Sequence, residues 1–312
     1  MTKYTRAAAV AATVVVAVVV ASGAGRAQET RPLPDLDALS SVVRENLVRA
    51  ERVGYVYGFK ERRTDLHANL FGRIGTEGTS LFEVYPSATR RLTYRRLISR
   101  DGVPIDAQEL AKQDREYLER AADVQRQLAA EDADGRPSRE EDVEQARQAG
   151  GNRVEDIVGT LQFQVEGRTV YEGVPAIVVS FTPRPGAKPS TREGRMAQRF
   201  VGTAWIHEAA AEVMHVEATS IDSLSFGFGL LARLGTGTEA TLTRQAVEPG
   251  LWMPTQITLK GTGRAALFLR RLVIDFAIDW FDYHRLEGDS ATPFPDPGRE
   301  PPIPDRRSRR PA

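Results

Sequence analysis

The chain has 312 residues, 41% of them apolar and 27% charged, with 42 basic against 42 acidic side chains and no cysteine. That length suffices for one large domain or two small ones with a substantial core. Balanced charge argues against a dedicated nucleic-acid binder, and the missing thiol removes disulfides, thiolate metal ligands, a cysteine nucleophile and a lipidated N-terminal cysteine.

Lys3 and Arg6 precede an uncharged Ala/Val-rich stretch, Ala7–Ala21, and Gly25-Arg26-Ala27 follows as a small-x-small cleavage site. This is the pattern of a signal peptide over residues 1–27. The apolar run is short against the roughly 20 residues of a membrane span, so cleavage and a periplasmic mature chain are expected, given a two-membrane bacterium, with an uncleaved anchor as the alternative. Residues 28–105 are expected to open with a helix over Leu33–Val53. Its Leu36, Leu39, Val42, Val43, Leu47 and Val48 fall at helical spacing, with Asp35 or Asp37 as cap. Strands follow at Tyr55–Arg63, Leu66–Ile74, Ser80–Pro86 and Arg90–Ser99, separated by turn-prone residues as in an antiparallel meander.

Residues 106–150 change character. They are rich in Glu, Arg, Gln and Ala, poor in large apolar side chains, and interrupted at Asp134-Gly135-Arg136-Pro137. The segment reads as a solvated, partly disordered helical insertion whose few apolar groups cannot offset the entropy of ordering it. From residue 151 to 286 strands are expected at Thr160–Gly167, Ala176–Pro183, Gln198–His207, Glu212–Ser220, Thr238–Val247, Trp252–Gly261, Leu267–Phe276 and Ile278–Leu286. Many short strands with turns between them give a mainly β, α+β chain built on an antiparallel sheet or barrel. Residues 287–312, rich in Pro, Arg and Asp, are expected to be a disordered tail.

Two of the four histidines lie in "WIHEAAAEVMHVEAT", Trp205–Thr219, each near a glutamate. A four-residue loop over Glu208–Ala211 would pair His207 with Glu212, Trp205 with Met214 and Thr203 with Val216. Alternation then puts His207 on the Trp205/Met214 face and His215 on the opposite face with Ala204, Ile206 and Val213. Histidines on opposite faces cannot share a metal, and only a one-residue slip would bring them together. No metal and no cofactor are therefore expected. Three loose G-x-G-x-x-A matches begin at Gly227, Gly235 and Gly261, but none opens a helix after a buried parallel strand, so none is a dinucleotide site. Gly288-Asp289-Ser290 has no histidine after it, and Glu140-Glu141 lies in the solvated insertion. No nucleophile–base pair is visible, and the chain reads as non-enzymatic.

What remains is a consistent apolar face. Leu161, Phe163 and Val165 alternate with Gln162 and Gln164, Ile177, Val179 and Phe181 with Val178 and Ser180, and Met253, Ile257 and Leu259 with Pro254, Gln256 and Thr258. Such a face wraps either an ordinary core or a lipid-sized cavity.

The stretches Tyr171–Ala218 and Leu251–Arg285 resemble the outer-membrane lipoprotein-sorting, LolA-like superfamily. The resemblance rests on Tyr171-x-Gly173-x-Pro175 before a strand, the Pro183–Pro189 loop, Gly202-x-x-Trp205-Ile206, the second strand of that hairpin, and Leu251-Trp252-x-Pro254. His207 departs from it, since an acidic residue is commoner there. The resemblance implies a strongly curved, incompletely closed antiparallel barrel lidded by helices, carrying here a charged helical insertion. It implies a carrier of lipid or lipoprotein acyl chains towards the outer membrane, with a membrane-bound donor or acceptor as partner. The alternative is a periplasmic regulatory or envelope-assembly protein that uses the same fold to bind a protein. The expected concavity is lined by Leu161 and Phe163, by Ile177, Val179 and Phe181, by Trp205, Met214 and Val216, by Leu242, and by Met253, Ile257 and Leu259.

Overall fold

The computed structural model describes residues 31–65, 78–87, 92–133, 139–226, 232–265 and 270–286. The signal-peptide segment, the strand expected at Leu66–Ile74, the Gly227 motif, Gly288–Ser290 and the tail lie outside them. Met1–Pro32 and Leu33–Ala312 separate into two units, and the fold is that of the second.

Helix α1 spans Leu36–Val53 and is capped by Asp35, whose Oδ1 accepts from the Ala38 N–H at 2.9 Å. Leu39, Val43 and Leu47 recur every fourth residue and make one stripe, which packs on the sheet against a cluster of Ile177, Val179, Ala204, Ile206 and Val213. A short 3-10 turn, Gly54–Val56, leads into β1 (Tyr57–Asp65), then β2 (Gly78–Tyr85), β3 (Tyr94–Arg100) and β4 (Val103–Pro104). Helices α2 (Ala107–Ala133) and α3 (Arg139–Thr160) follow, then β5 (Leu161–Tyr171), β6 (Val174–Pro183), α4 (Arg192–Ala197), β7 (Phe200–His207) and β8 (Glu212–Ser220). The chain continues with β9 (Leu224–Phe226), β10 (Ala232–Leu234), β11 (Glu239–Glu248), β12 (Leu251–Ala265) and β13 (Arg270–Arg285).

Among the described residues these strands form one antiparallel sheet in the order β4-β3-β2-β1-β13-β12-β11-β8-β7-β6-β5, with β9 and β10 branching from β12. β4 and β5 end the path, so the sheet is an open, curved half-barrel. The last strand, β13, pairs with the first, β1, which joins the N-terminal meander to the C-terminal one. β12 tolerates Pro254 because the residue sits beside a bulge on its β11 side, and the ladder to β13 begins only at Gln256.

Several expectations change. The strands expected at Leu267–Phe276 and Ile278–Leu286 are one strand, β13, and β9, β10 and α4 are additional. Helix α3 runs ten residues beyond Gly150, to Thr160. The charged segment is not simply solvated either. Tyr117 of α2 stacks on Tyr94 at 4.3 Å, and Ala121 is buried beside it. Asp114, also buried, accepts from the Tyr94 hydroxyl at 2.6 Å and from Arg96 Nε and Nη2 at 3.0 and 2.9 Å. The α2 anchor is thus made of polar and aromatic groups that satisfy one another, which a count of large aliphatic residues cannot register. In α3, Gly150 and Gly151 meet Glu51 and Val48 of α1, so two residues unfavourable inside a helix stand where the helices press together.

Candidate binding cavity

A cavity of about 1160 Å³ lies between the concave face of the sheet and helices α1, α3 and α4. This is at or beyond the upper end of ordinary small-molecule pockets. α1 contributes Leu39, Val43 and Leu47; α3 contributes Val154, Ile157 and Val158; α4 contributes Met196 and Ala197. The sheet supplies the opposite wall, from Phe59 and Val84 round to Phe163 and Val179. Two of the lining residues, Phe181 and Phe200, pack with Leu224 and Leu234, buried on the β9–β10 branch. Ala50 packs with Tyr57, Leu251 and Met253.

Of the twelve residues expected in the concavity, Leu161, Phe163, Val179, Phe181, Val216, Leu242, Met253 and Ile257 line this cavity. Ile177 faces the same side but is sealed beneath α1. Leu259 packs beside the β9–β10 branch. Trp205 and Met214 require a correction. His207 does pair with Glu212 across the Glu208–Ala211 loop, but the register then slips between Ile206 and Trp205, so Trp205 pairs with His215 and Ala204 with Val216. Met214 is the extra residue of this bulge and is buried within the wall. β7 alternates without interruption, so Ala204 and Ile206 line the cavity and Trp205 turns to the outer face. On β8 the bulge shifts the alternation and puts Val213 and Val216 inward and His215 outward beside Trp205.

There Trp205 joins Tyr171 and His215, with ring centroids 5.3–5.5 Å apart. The slip also puts both histidines on this outer face. His207 stands edge-on to Trp252, and its Nδ1 accepts from the N–H groups of Ala209 and Ala210. His215 Nδ1 lies 3.0 Å from the Thr243 hydroxyl. Each ring nitrogen so engaged serves the turn or the neighbouring strand. Among the described residues no group of three or more His, Asp or Glu side chains is arranged to hold a metal.

Polar groups of the cavity wall, missed by the sequence reading, fall into discrete pairs. Arg44 faces Glu155 at 3.5 Å, and Arg153 meets Glu51 at 3.0 Å. Arg244 and Glu212, each 3% exposed, form a buried pair at 3.0 Å, and Arg244 Nη2 also donates to the Trp252 carbonyl at 2.7 Å. Desolvation raises the pKa of Glu212 and lowers that of Arg244, each against the pull of its partner. Burial also raises the Tyr283 phenol, whose hydroxyl donates to the Pro254 carbonyl at 2.6 Å. Glu61, 1% exposed, is the carboxylate of the cavity wall with the most donors: Arg63 Nε at 2.6 Å, Arg95 Nη1 at 3.0 Å and Trp280 Nε1 at 3.0 Å.

No family model and no curated protein matches the chain. Two solved structures are similar to it at a TM-score of 0.30. One is a DUF1329 family protein from Desulfovibrio piger, 10% identical, with 79% of this chain and 92% of that one covered. The other is a putative outer membrane lipoprotein-sorting protein domain from Vibrio parahaemolyticus, 9% identical, with 79% and 93% covered. No helix among the described residues is long and apolar enough to cross a membrane.

Proposed function

We propose that the protein is a periplasmic, non-enzymatic carrier that holds the acyl chains of a lipid or lipoprotein in this cavity. The observation that supports it is the size and chemistry of the cavity, about 1160 Å³ with a mostly apolar wall in which Leu, Val, Ile and Phe are the commonest large side chains. Each methylene moved from water into such a wall contributes about 0.8 kcal/mol, so a long chain is retained without any specific polar contact. Release then requires an acceptor with an equally apolar site, because only a matched surface makes the transfer close to isoenergetic.

Native mass spectrometry of protein purified from its own envelope is the direct test, and co-purifying lipid is the expected result. A titration with a fluorescent fatty-acyl probe tests the location. Val216→Glu, on the cavity wall, weakens binding, whereas Trp205→Ala, on the outer face, does not. The reverse pattern would place the guest elsewhere. The outer cluster of Tyr171, Trp205 and His215 favours a second reading, a protein-binding regulatory or envelope-assembly role. A stable protein complex with an empty cavity, lost in Trp205→Ala, would select it.

A further inference from the structure

The charges around the cavity are unevenly matched. Arg44 faces Glu155 and Arg153 meets Glu51, while Glu212 is flanked by the buried Arg244 and, at 3.6 Å, by Arg49. Arg192 lines the cavity at the exposed start of α4, next to Glu193, which lines it as well. Glu61 is shared by two guanidinium groups, Arg63 and Arg95, of which Arg95 lines the cavity. Arg63 is further engaged over the ring of Phe82, at 5.7 Å. Arg95 is less committed. Only its Nη1 donates among the described residues, and its side chain is 44% exposed, so the rest of the fork is accessible. The sheet explains the geometry. Arg95 is on the cavity side of β3, while Tyr94 and Arg96 turn to the other side and bind α2. Ser87 and Thr93 line the cavity as well.

We propose that this part of the wall is a head-group subsite, in which Arg95, oriented by the buried Glu61, binds the carboxylate or phosphate of an anionic amphiphile whose chain fills the apolar cavity. The inference rests on the acyl-chain reading above and specifies the class of guest. A guanidinium with unused N–H donors, fixed by a carboxylate that is itself fixed by two other donors, presents a planar fork of the kind that oxyanions accept. Glu61 is here a positioning residue, since its oxygens already receive Arg63, Arg95 and Trp280.

The test compares palmitate with methyl palmitate, the same chain without the charge, on the wild type, Arg95→Gln and Arg95→Lys. Inorganic phosphate is titrated as a separate ligand. The wild type is expected to prefer palmitate roughly tenfold or more, the scale of a charge-assisted hydrogen bond. Arg95→Gln should reduce the ratio of the two affinities to near one, Arg95→Lys should restore part of it, and added salt should lower it. Equal binding of both probes by the wild type, or an unchanged ratio in Arg95→Gln, overturns the subsite and leaves the acyl-chain reading standing. Binding of neither probe overturns both. If inorganic phosphate binds as tightly as palmitate and depends on Arg95, the site takes free anions and the amphiphile assignment fails.

Discussion

Replacing Arg244 by Met removes one half of a buried ion pair and leaves the other half in place. Both side chains are 3% exposed, and Arg244 supplies the 3.0 Å hydrogen bond to Glu212. The other cation near Glu212 is Arg49, at 3.6 Å and 53% exposed, so its attraction is screened by water. An uncompensated buried charge of this kind costs about 3–5 kcal/mol. In a protein of this size that corresponds to a fall in Tm on the order of 10 °C. The directions of the two pKa shifts carry the reasoning further. Glu212 is raised and Arg244 lowered, so desolvation outweighs mutual attraction at both ends of the pair. The neutral double variant Arg244→Met, Glu212→Leu should then recover most of the loss. It should fall short by about 1–3 kcal/mol, because the Trp252 carbonyl loses its buried donor. The sign with pH follows from linkage. A Glu raised in the folded state binds its proton more readily there, so its contribution to stability is largest at low pH and declines as pH rises through the folded value. Arg244→Met removes the main opposing influence, and its deficit against the wild type should narrow on acidification. Urea unfolding of the four proteins of the cycle, followed by tryptophan fluorescence at two pH values, gives every term. A single variant that loses less than about 1 kcal/mol, or a double variant as unstable as the sum of the singles, would refute the desolvation argument.

Three further outcomes can be measured. Asp114→Ala removes the α2 carboxylate that accepts from the Tyr94 hydroxyl and from Arg96 Nε and Nη2, so amide exchange over α2 should accelerate markedly while the β5–β8 strands keep their protection. Gly202→Ala builds a Cβ 2.1 Å from the Glu217 carbonyl oxygen and 2.7 Å from Phe181 Cζ, and backbone cannot yield as a side chain does. A loss of about 2 kcal/mol or more in urea unfolding is expected. Asp156 is held down to about 2, first by the Thr191 hydroxyl and then by the N–H groups of Ser190 and Thr191. A depressed carboxylate stabilises above its ordinary value and loses that contribution as pH falls towards 2, so acid unfolding of Asp156→Asn should lack this component.

Much of the sheet was legible because its strands obey a two-residue period. β8 was read with the bounds it has, and β6, β7 and β11 were placed to within two residues. The face assignments of the β7–β8 hairpin were not. The parity break is nevertheless written in β8: the cavity side is taken by Val213 and then by Val216, three residues on, and an odd step between inward residues requires a bulge. Read that way, Met214 is the extra residue and Trp205 turns outward. The packed part of α2 was obscured by a different cause, since it is anchored through an aspartate and tyrosines, which resemble surface residues in composition.

The charged end of the cavity lay beyond any local pattern. Glu61 and Trp280 are 219 residues apart, and they meet only because β13 pairs with β1. In the sequence, "KERR" at Lys60–Arg63 is a charged strand like any exposed edge. In the fold, Lys60 and Arg62 do reach outward to Asp282 and Asp279, while Glu61 turns inward and is almost fully buried. A carboxylate inside an otherwise apolar wall is tolerated only with donors around it, and three are present. One donor and one cation would have sufficed for neutrality. The second arginine is surplus to the needs of Glu61, and because Arg95 stands on the cavity wall with N–H donors to spare, it is the group an anionic head group would engage.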